Sequence, residues 1–220
     1  MKKLILLFVA FIALGCSNAV INEKTVQFGR YYQDAEGKVL SPIEWTVLDN
    51  QDGKTLLITA KTIDSKPFHN TLEAVTWDNC DLRIWLNGEF LETAFSPNEQ
   101  KAIAVTEVSA LKNPRFDTPV GQPTRDKVFL LSYEECLHYM PEDSLRTNFP
   151  TEYAIAQGCY VNTNGHAAWW LRSNGMSETE PEHLATWGNF SLRHHYVDDP
   201  ILGDRPAIWV KSSYLKKQSK

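Results

Sequence analysis

Positive charge is scarce in this chain. Lys and Arg total 22 against 27 Asp and Glu in 220 residues, a formal net charge of -5. Recognition of nucleic acid needs a basic face, so that class of partner is set aside. Cysteine is scarcer still. There are four, with no Cys-x-x-Cys pair and no His/Cys spacing of a zinc site, so neither a metal nor a cofactor is expected. Long apolar runs are missing too. The run at residues 4–14 has eleven residues, short of the roughly 20 that a bilayer-crossing helix needs. There is no internal repeat and no strong catalytic signature. What the chain does have is aromatic mass: 7 Trp, 8 Tyr and 10 Phe. That is enough rigid apolar volume for the core of one sizeable domain.

The first residues read as an export signal. Lys2 and Lys3 precede the apolar run, and Ala13-Leu14-Gly15-Cys16 resembles a bacterial lipobox, in which the cysteine is acylated and becomes the new N-terminus. Ordinary cleavage after Ala19 is the competing reading. The division expected is a lipoprotein signal peptide at 1–15, a tether at 16–24, one domain at 25–212 and a solvated basic tail at 213–220. Loss of residues 1–15 removes Lys2 and Lys3 and moves the formal charge from -5 to -7, with 20 basic against 27 acidic residues. Acyl chains contribute about 0.8 kcal/mol per buried methylene, so the expected location is the cell envelope. Ser17 follows the cysteine, which favours the outer membrane where a cell has two. An exported chain leaves room for one disulfide among Cys80, Cys136 and Cys159, and spacing does not choose the pair.

Along the chain, residues 26–31 suit a strand. Residues 42–48 alternate cleanly, Asn50-Gln51-Asp52-Gly53 is a turn signal, and residues 54–60 resume, which together predict a hairpin. Thr76 or Asp78 can cap a helix carrying Leu82, Trp85, Leu86 and Phe90, with a break expected at Gly88. Ser96-Pro97-Asn98-Glu99 and Ser132-Tyr133-Glu134-Glu135 are capping boxes. A strand is expected at 103–108, a proline-rich loop at 111–125, a strand at 127–131, and a helix at 151–157 that Gly158 terminates. Strands are then expected at 168–172, 183–187, 190–197 and 206–211. Strands, a helical middle and strands again make an α+β fold.

Several ordered blocks carry a family resemblance. They are Phe28-Gly29-Arg30-Tyr31, Ile43-Glu44-Trp45-Thr46-Val47-Leu48, Leu82-Arg83-Ile84-Trp85-Leu86-Asn87, Lys127-Val128-Phe129-Leu130-Leu131-Ser132, Trp169-Trp170-Leu171-Arg172-Ser173 and Arg205-Pro206-Ala207-Ile208-Trp209-Val210. The chain resembles a bacterial exported family of unknown function with a Trp-Trp-Leu-Arg-Ser element and an Arg-Pro-Ala block. The likeness runs over about residues 26–210. That family is in turn similar to C-type-lectin-like domains, including the branch of formylglycine-generating enzymes. The resemblance implies a twisted antiparallel sheet with two main helices, neighbouring first and last strands, and a long-loop region facing ligands. Many relatives read Gly-Val-Arg-Pro where this chain has Gly203-Asp204-Arg205-Pro206, which places a carboxylate beside the guanidinium. Formylglycine-generating activity needs a late cysteine pair that is missing here.

The candidate binding residues are Arg172, Trp187, Asn189, His194, Tyr196, Asp204 and Arg205. The guanidinium fork of Arg172 or Arg205 fits a carboxylate or phosphate, but each also stands among aromatics, where a structural arginine is the competing role. Trp77-Asp78-Asn79 matches a calcium-site tripeptide but lies before the first helix, where a cap explains it. Glu180-Pro181-Glu182 with Trp187-Gly188-Asn189 is a second calcium pattern that lacks one carboxylate. His194-His195 with Asp198 and Asp199 is the densest polar cluster. Neighbouring histidines on one strand face opposite sides and do not chelate one ion. Two functions remain in view. One is a lipid-anchored, non-enzymatic domain that binds a glycan, peptide or envelope component through loops between 158 and 203. The other is a hydrolase, amidase-like, using Cys159 with His166 or another loop histidine. A purely structural envelope protein differs from the first only in lacking a pocket.

Overall fold

The hairpin turn is made where the sequence marks it. Asp52 and Gly53 take φ +50° and +71°, the left-handed pair that a two-residue turn between twisted strands requires. It joins β2 (Leu40–Gln51) to β3 (Lys54–Thr59), and β1 (Thr25–Tyr32) pairs with the other edge of β2. The computed structural model describes residues 25–218. The expected export signal, the expected lipidation residue Cys16 and the expected tether lie outside the described residues. Among those described, no helix is long and apolar enough to cross a membrane.

The fold is α+β, but with three sheets rather than one. Strands β1, β2, β3, β11 (Ala207–Lys211) and β7 (Val128–Phe129) form an antiparallel five-stranded sheet in that order. A four-stranded sheet runs β4 (Asp64–Ser65), β10 (Gly203–Asp204), β8 (Trp169–Ser177) and β9 (Glu180–Leu184), with β10 parallel to β8. Strands β5 (Thr106–Val108) and β6 (Thr124–Asp126) form a small ribbon. The first and last strands share a sheet but are not neighbours. The tight β2–β3 turn leaves the far edge of β3 open, and β11 takes that edge from Ala207 opposite Ile58 to Lys211 opposite Lys54.

Strand β8 carries the tryptophan pair, and both indoles are wholly buried. Successive strand residues face opposite sides, so β8 is covered on both faces. Each buried N–H finds an acceptor: Trp169 Nε1 donates to the Arg146 carbonyl at 3.0 Å and Trp170 Nε1 to the Lys66 carbonyl at 3.1 Å.

The helical middle is one bent rod and several short turns, not two main helices. Thr76 caps a single 3-10 turn (Trp77–Asn79), and Cys80 then caps α1 (Asp81–Trp85). A π turn (Leu86–Phe90) and α2 (Leu91–Ala94) continue without a break. Gly88 therefore does not end the helix. Burial of Leu86, Phe90 and Leu91 holds the turn across it. Both capping boxes form, at α3 (Pro97–Ala102) and α4 (Tyr133–Tyr139), followed by α5 (Asp143–Arg146) and α6 (Glu152–Ala156).

Two late expectations are overturned. Residues 190–197 are not a strand. Only Phe190 bridges Leu184, and Leu192, Arg193 and His194 are exposed in succession, so no alternate face is buried. Side chains and turns use its backbone instead, with Arg115 Nη2 donating to the Ser191 carbonyl at 3.1 Å. The basic tail is also not merely solvated. Ser212–Gln218 forms α7, and Tyr214 and Leu215 pack on the core, Tyr214 edge-on to Phe28 at 5.9 Å. The folded unit thus extends past residue 212.

Candidate ligand-binding groove

Beyond the end of β9 the chain turns sharply. Gly188, at φ +81°, closes onto Ala185, and a Cβ there would lie 1.9 Å from the Asp143 carbonyl oxygen, so only glycine fits. The buried Arg146 guanidinium holds this turn from beneath. Its Nε donates to the Gly188 carbonyl at 2.6 Å, and its plane lies over Phe190 at 4.8 Å. Trp187 is thereby raised on a fixed turn with 56% of its surface exposed. Opposite it, the segment after α6 brings up Tyr160, whose backbone N–H donates to the Ile201 carbonyl at 2.9 Å and whose ring is 57% exposed.

Between these aromatics lies a groove of about 520 Å³, a volume suited to a small organic ligand. Thr163, Thr186 and Asn189 supply hydroxyl and amide groups to its walls, and Leu192 and Ile201 stand at its edge. His183 and His195 face it from the floor, ring centroids 4.9 Å apart and edge to face. His195 Nδ1 meets the Asp199 carboxylate at 2.9 Å. Burial, then the neighbouring His195, pushes His183 down to about 4, so His183 is neutral at physiological pH. Under the floor, Glu182 accepts from Asn113 and Arg115, both at 2.8 Å. Burial still raises the Glu182 carboxyl, outweighing those two partners. These ties fix the loops before any ligand arrives, which lowers the ordering cost of binding.

Of the seven candidate binding residues named from sequence, Trp187 and Asn189 line this groove and the other five do not, while His195 of the His194-His195 cluster lines it as well. Arg172, 4% exposed, forks onto Glu135 and donates to the Leu130 carbonyl at 2.8 Å. Arg205 donates twice to the Thr59 carbonyl, at 3.1 and 2.9 Å, and stacks over Trp169 at 4.8 Å. Asp204 is wholly buried on the opposite side of its strand. Its electrostatic neighbours include Asp64, across the β4–β10 bridge, and Lys66. His194 turns away to Glu180 at 2.7 Å, and the Tyr196 backbone is tied to Asp199. Glu182 and Glu180 of the second calcium pattern are tied to Asn113, Arg115 and His194, and among the described residues no group of three or more His, Cys, Asp or Glu is placed to hold a metal ion. The sequence reading missed Tyr160, Thr163, His183 and Arg193. They come from three separate segments, and no local pattern joins them.

The thiol route to hydrolysis has little support in this geometry. Cys80, Cys136 and Cys159 are free and buried. Burial, followed by the Asp204 carboxyl, pushes Cys159 up to about 12, away from a reactive thiolate. No hydrogen bond between Cys159 and His166 is found. Iodoacetamide at pH 7.5 is expected to leave Cys159 unmodified in the folded protein and to modify it fully in denaturant, read by peptide mass mapping. Rapid modification of the folded chain would restore the thiol mechanism.

A family model described as a domain of unknown function (DUF6273) matches residues 52–212. No curated protein and no solved structure matches the chain.

Proposed function

Since the chain belongs to the DUF6273 family, whose description carries no activity, we propose a function from the groove itself: a saccharide-binding domain of the cell envelope. The observation that carries this reading is the pair of exposed rings, Trp187 and Tyr160, flanking a groove with hydroxyl and amide walls. The apolar face of a sugar ring stacks on an aromatic plane while its hydroxyls take the polar groups. Of the layout that the lectin-like resemblance implies, the long-loop region is the part this reading uses, with the groove built from loops before β8 and beyond β9. The lipobox-like Cys16 supports an acyl anchor that holds the groove near envelope glycans, on the outer membrane where a cell has two.

Hydrolysis by a loop histidine keeps one favourable observation, the imidazole of His195 oriented by Asp199. Cleavage of a bound sugar during the titrations below would decide for it.

Trp187→Ala is expected to weaken oligosaccharide binding at least about 10-fold, since a central aromatic anchor carries a disproportionate share of affinity. Its melting temperature should stay close to the parent's, because the ring is exposed. Calorimetric titration of both proteins against one oligosaccharide panel checks this. Equal affinities would remove the groove as the site.

A further inference from the structure

The groove departs from the charge of the molecule around it. The chain is net acidic at -5, yet no Asp or Glu lines the groove. The acids nearby are already paired: Asp199 with His195, Glu182 with Arg115, and Glu180 with His194. Arg193 stands on the ridge between the groove and a smaller cleft that Glu180 and Glu182 help to line. No carboxylate among the described residues pairs with its guanidinium. It is the one arginine or lysine lining the groove, beside a neutral His183 and a His195 whose Nδ1 meets the Asp199 carboxylate.

We infer that the ligand is an acidic saccharide whose carboxylate docks on Arg193 while a ring stacks on Trp187 or Tyr160. This rests on the saccharide reading above and narrows it. A guanidinium fork matches the two oxygens of a carboxylate and strengthens the bond through its charge. A phosphate ester fits less well. It carries about -1.5 to -2 charge at neutral pH and three acceptor oxygens, and the groove offers a single guanidinium. An acidic peptide is the other class of anion, but it brings no flat ring face for two exposed aromatics.

The test uses the purified full-length chain in detergent and calorimetric titration. The probes are trigalacturonate and sialyllactose, the methyl ester of each, maltose 1-phosphate and an acidic tetrapeptide. At least one acid sugar should bind about 10-fold or more tightly than its own ester. Arg193→Gln should remove that discrimination at an unchanged melting temperature. Acid and ester binding equally, or discrimination that survives in Arg193→Gln, overturns the carboxylate assignment and leaves the saccharide reading standing. Tighter binding of the phosphate or the peptide than of either acid sugar overturns it as well. No binding of any sugar overturns both readings together.

Discussion

Arg172→Ala is expected to lower the unfolding free energy by about 3 kcal/mol, toward the low end of the range for breaking a buried pair. The discount reflects the partner, because the Glu135 side chain is one-third exposed while that of Arg172 is only 4% exposed. The pair does more than neutralise charge. Glu135 Oε2 also accepts from the Ser132 backbone N–H at 2.9 Å, so the guanidinium steadies the carboxylate that caps α4. Arg172 also satisfies the Leu130 carbonyl, which ties β8 to the chain entering that helix. For a domain of this size, about 3 kcal/mol is a fall of roughly 6–12 °C in melting temperature. Arg172→Lys keeps the charge, loses the fork and should fall between parent and alanine. Thermal melts read the stability, and titration at a temperature where all three are folded reads the binding. A lysine variant as stable as the parent, or a folded variant that no longer binds sugar, would return Arg172 to the ligand site.

The opposite sign is expected at Asp204. Its carboxyl is 0% exposed, its oxygens have no well-formed hydrogen bond, and Asp64 faces it across the bridge. Burial raises its ionisation well above the ordinary carboxylate range, Asp64 adds to that, and Lys66 opposes it. Asp64, held by the Tyr31 hydroxyl at 2.7 Å, is raised as well. In the unfolded chain Asp204 ionises near about 3.9. Above that pH the folded state holds a proton that the unfolded state has lost. Asp204 therefore costs stability increasingly as pH rises from about 4 to its folded-state ionisation, and costs least in acid. Asp204→Asn removes the ionisable group at nearly constant shape, and the new amide can donate toward Asp64. The variant should be more stable at pH 7 by about 1–3 kcal/mol, with the advantage shrinking toward pH 4. Melting curves of the two proteins between pH 4 and 8 measure the gap. A variant that melts lower at pH 7, or a gap that does not change with pH, would contradict this account.

Some of this was legible in short stretches of sequence because the interactions are themselves short-range. The Asp52-Gly53 turn, the capping boxes at Ser96 and Ser132, and the helix stop at Gly158 each involve residues within a few positions of one another. Where local pattern competed with packing, packing decided. Gly88 reads as a breaker, yet buried Leu86 and Phe90 carry the helix through it. Residues 190–197 read as β-prone, yet the pairing with β9 ends after the Phe190–Leu184 bridge and the Ser191 N–H bond to the His183 carbonyl, and Arg115 takes the Ser191 carbonyl.

Sequence alone determined the α+β class, the tight turns, the helix starts and the aromatic wealth of the core, since those follow from backbone geometry and neighbouring side chains. It also marked Trp187 and Asn189. Only the tertiary structure decided that Tyr160, His183 and Arg193 stand with them around one groove, and that Arg172, Asp204 and Arg205 are spent inside the fold. The physical reason is separation along the chain. Three segments that share no local signal meet only after β8, β9 and β10 pair. Arg115 and Arg172 are set against Glu182 and Glu135 by that pairing, while Arg193 stays exposed at the groove.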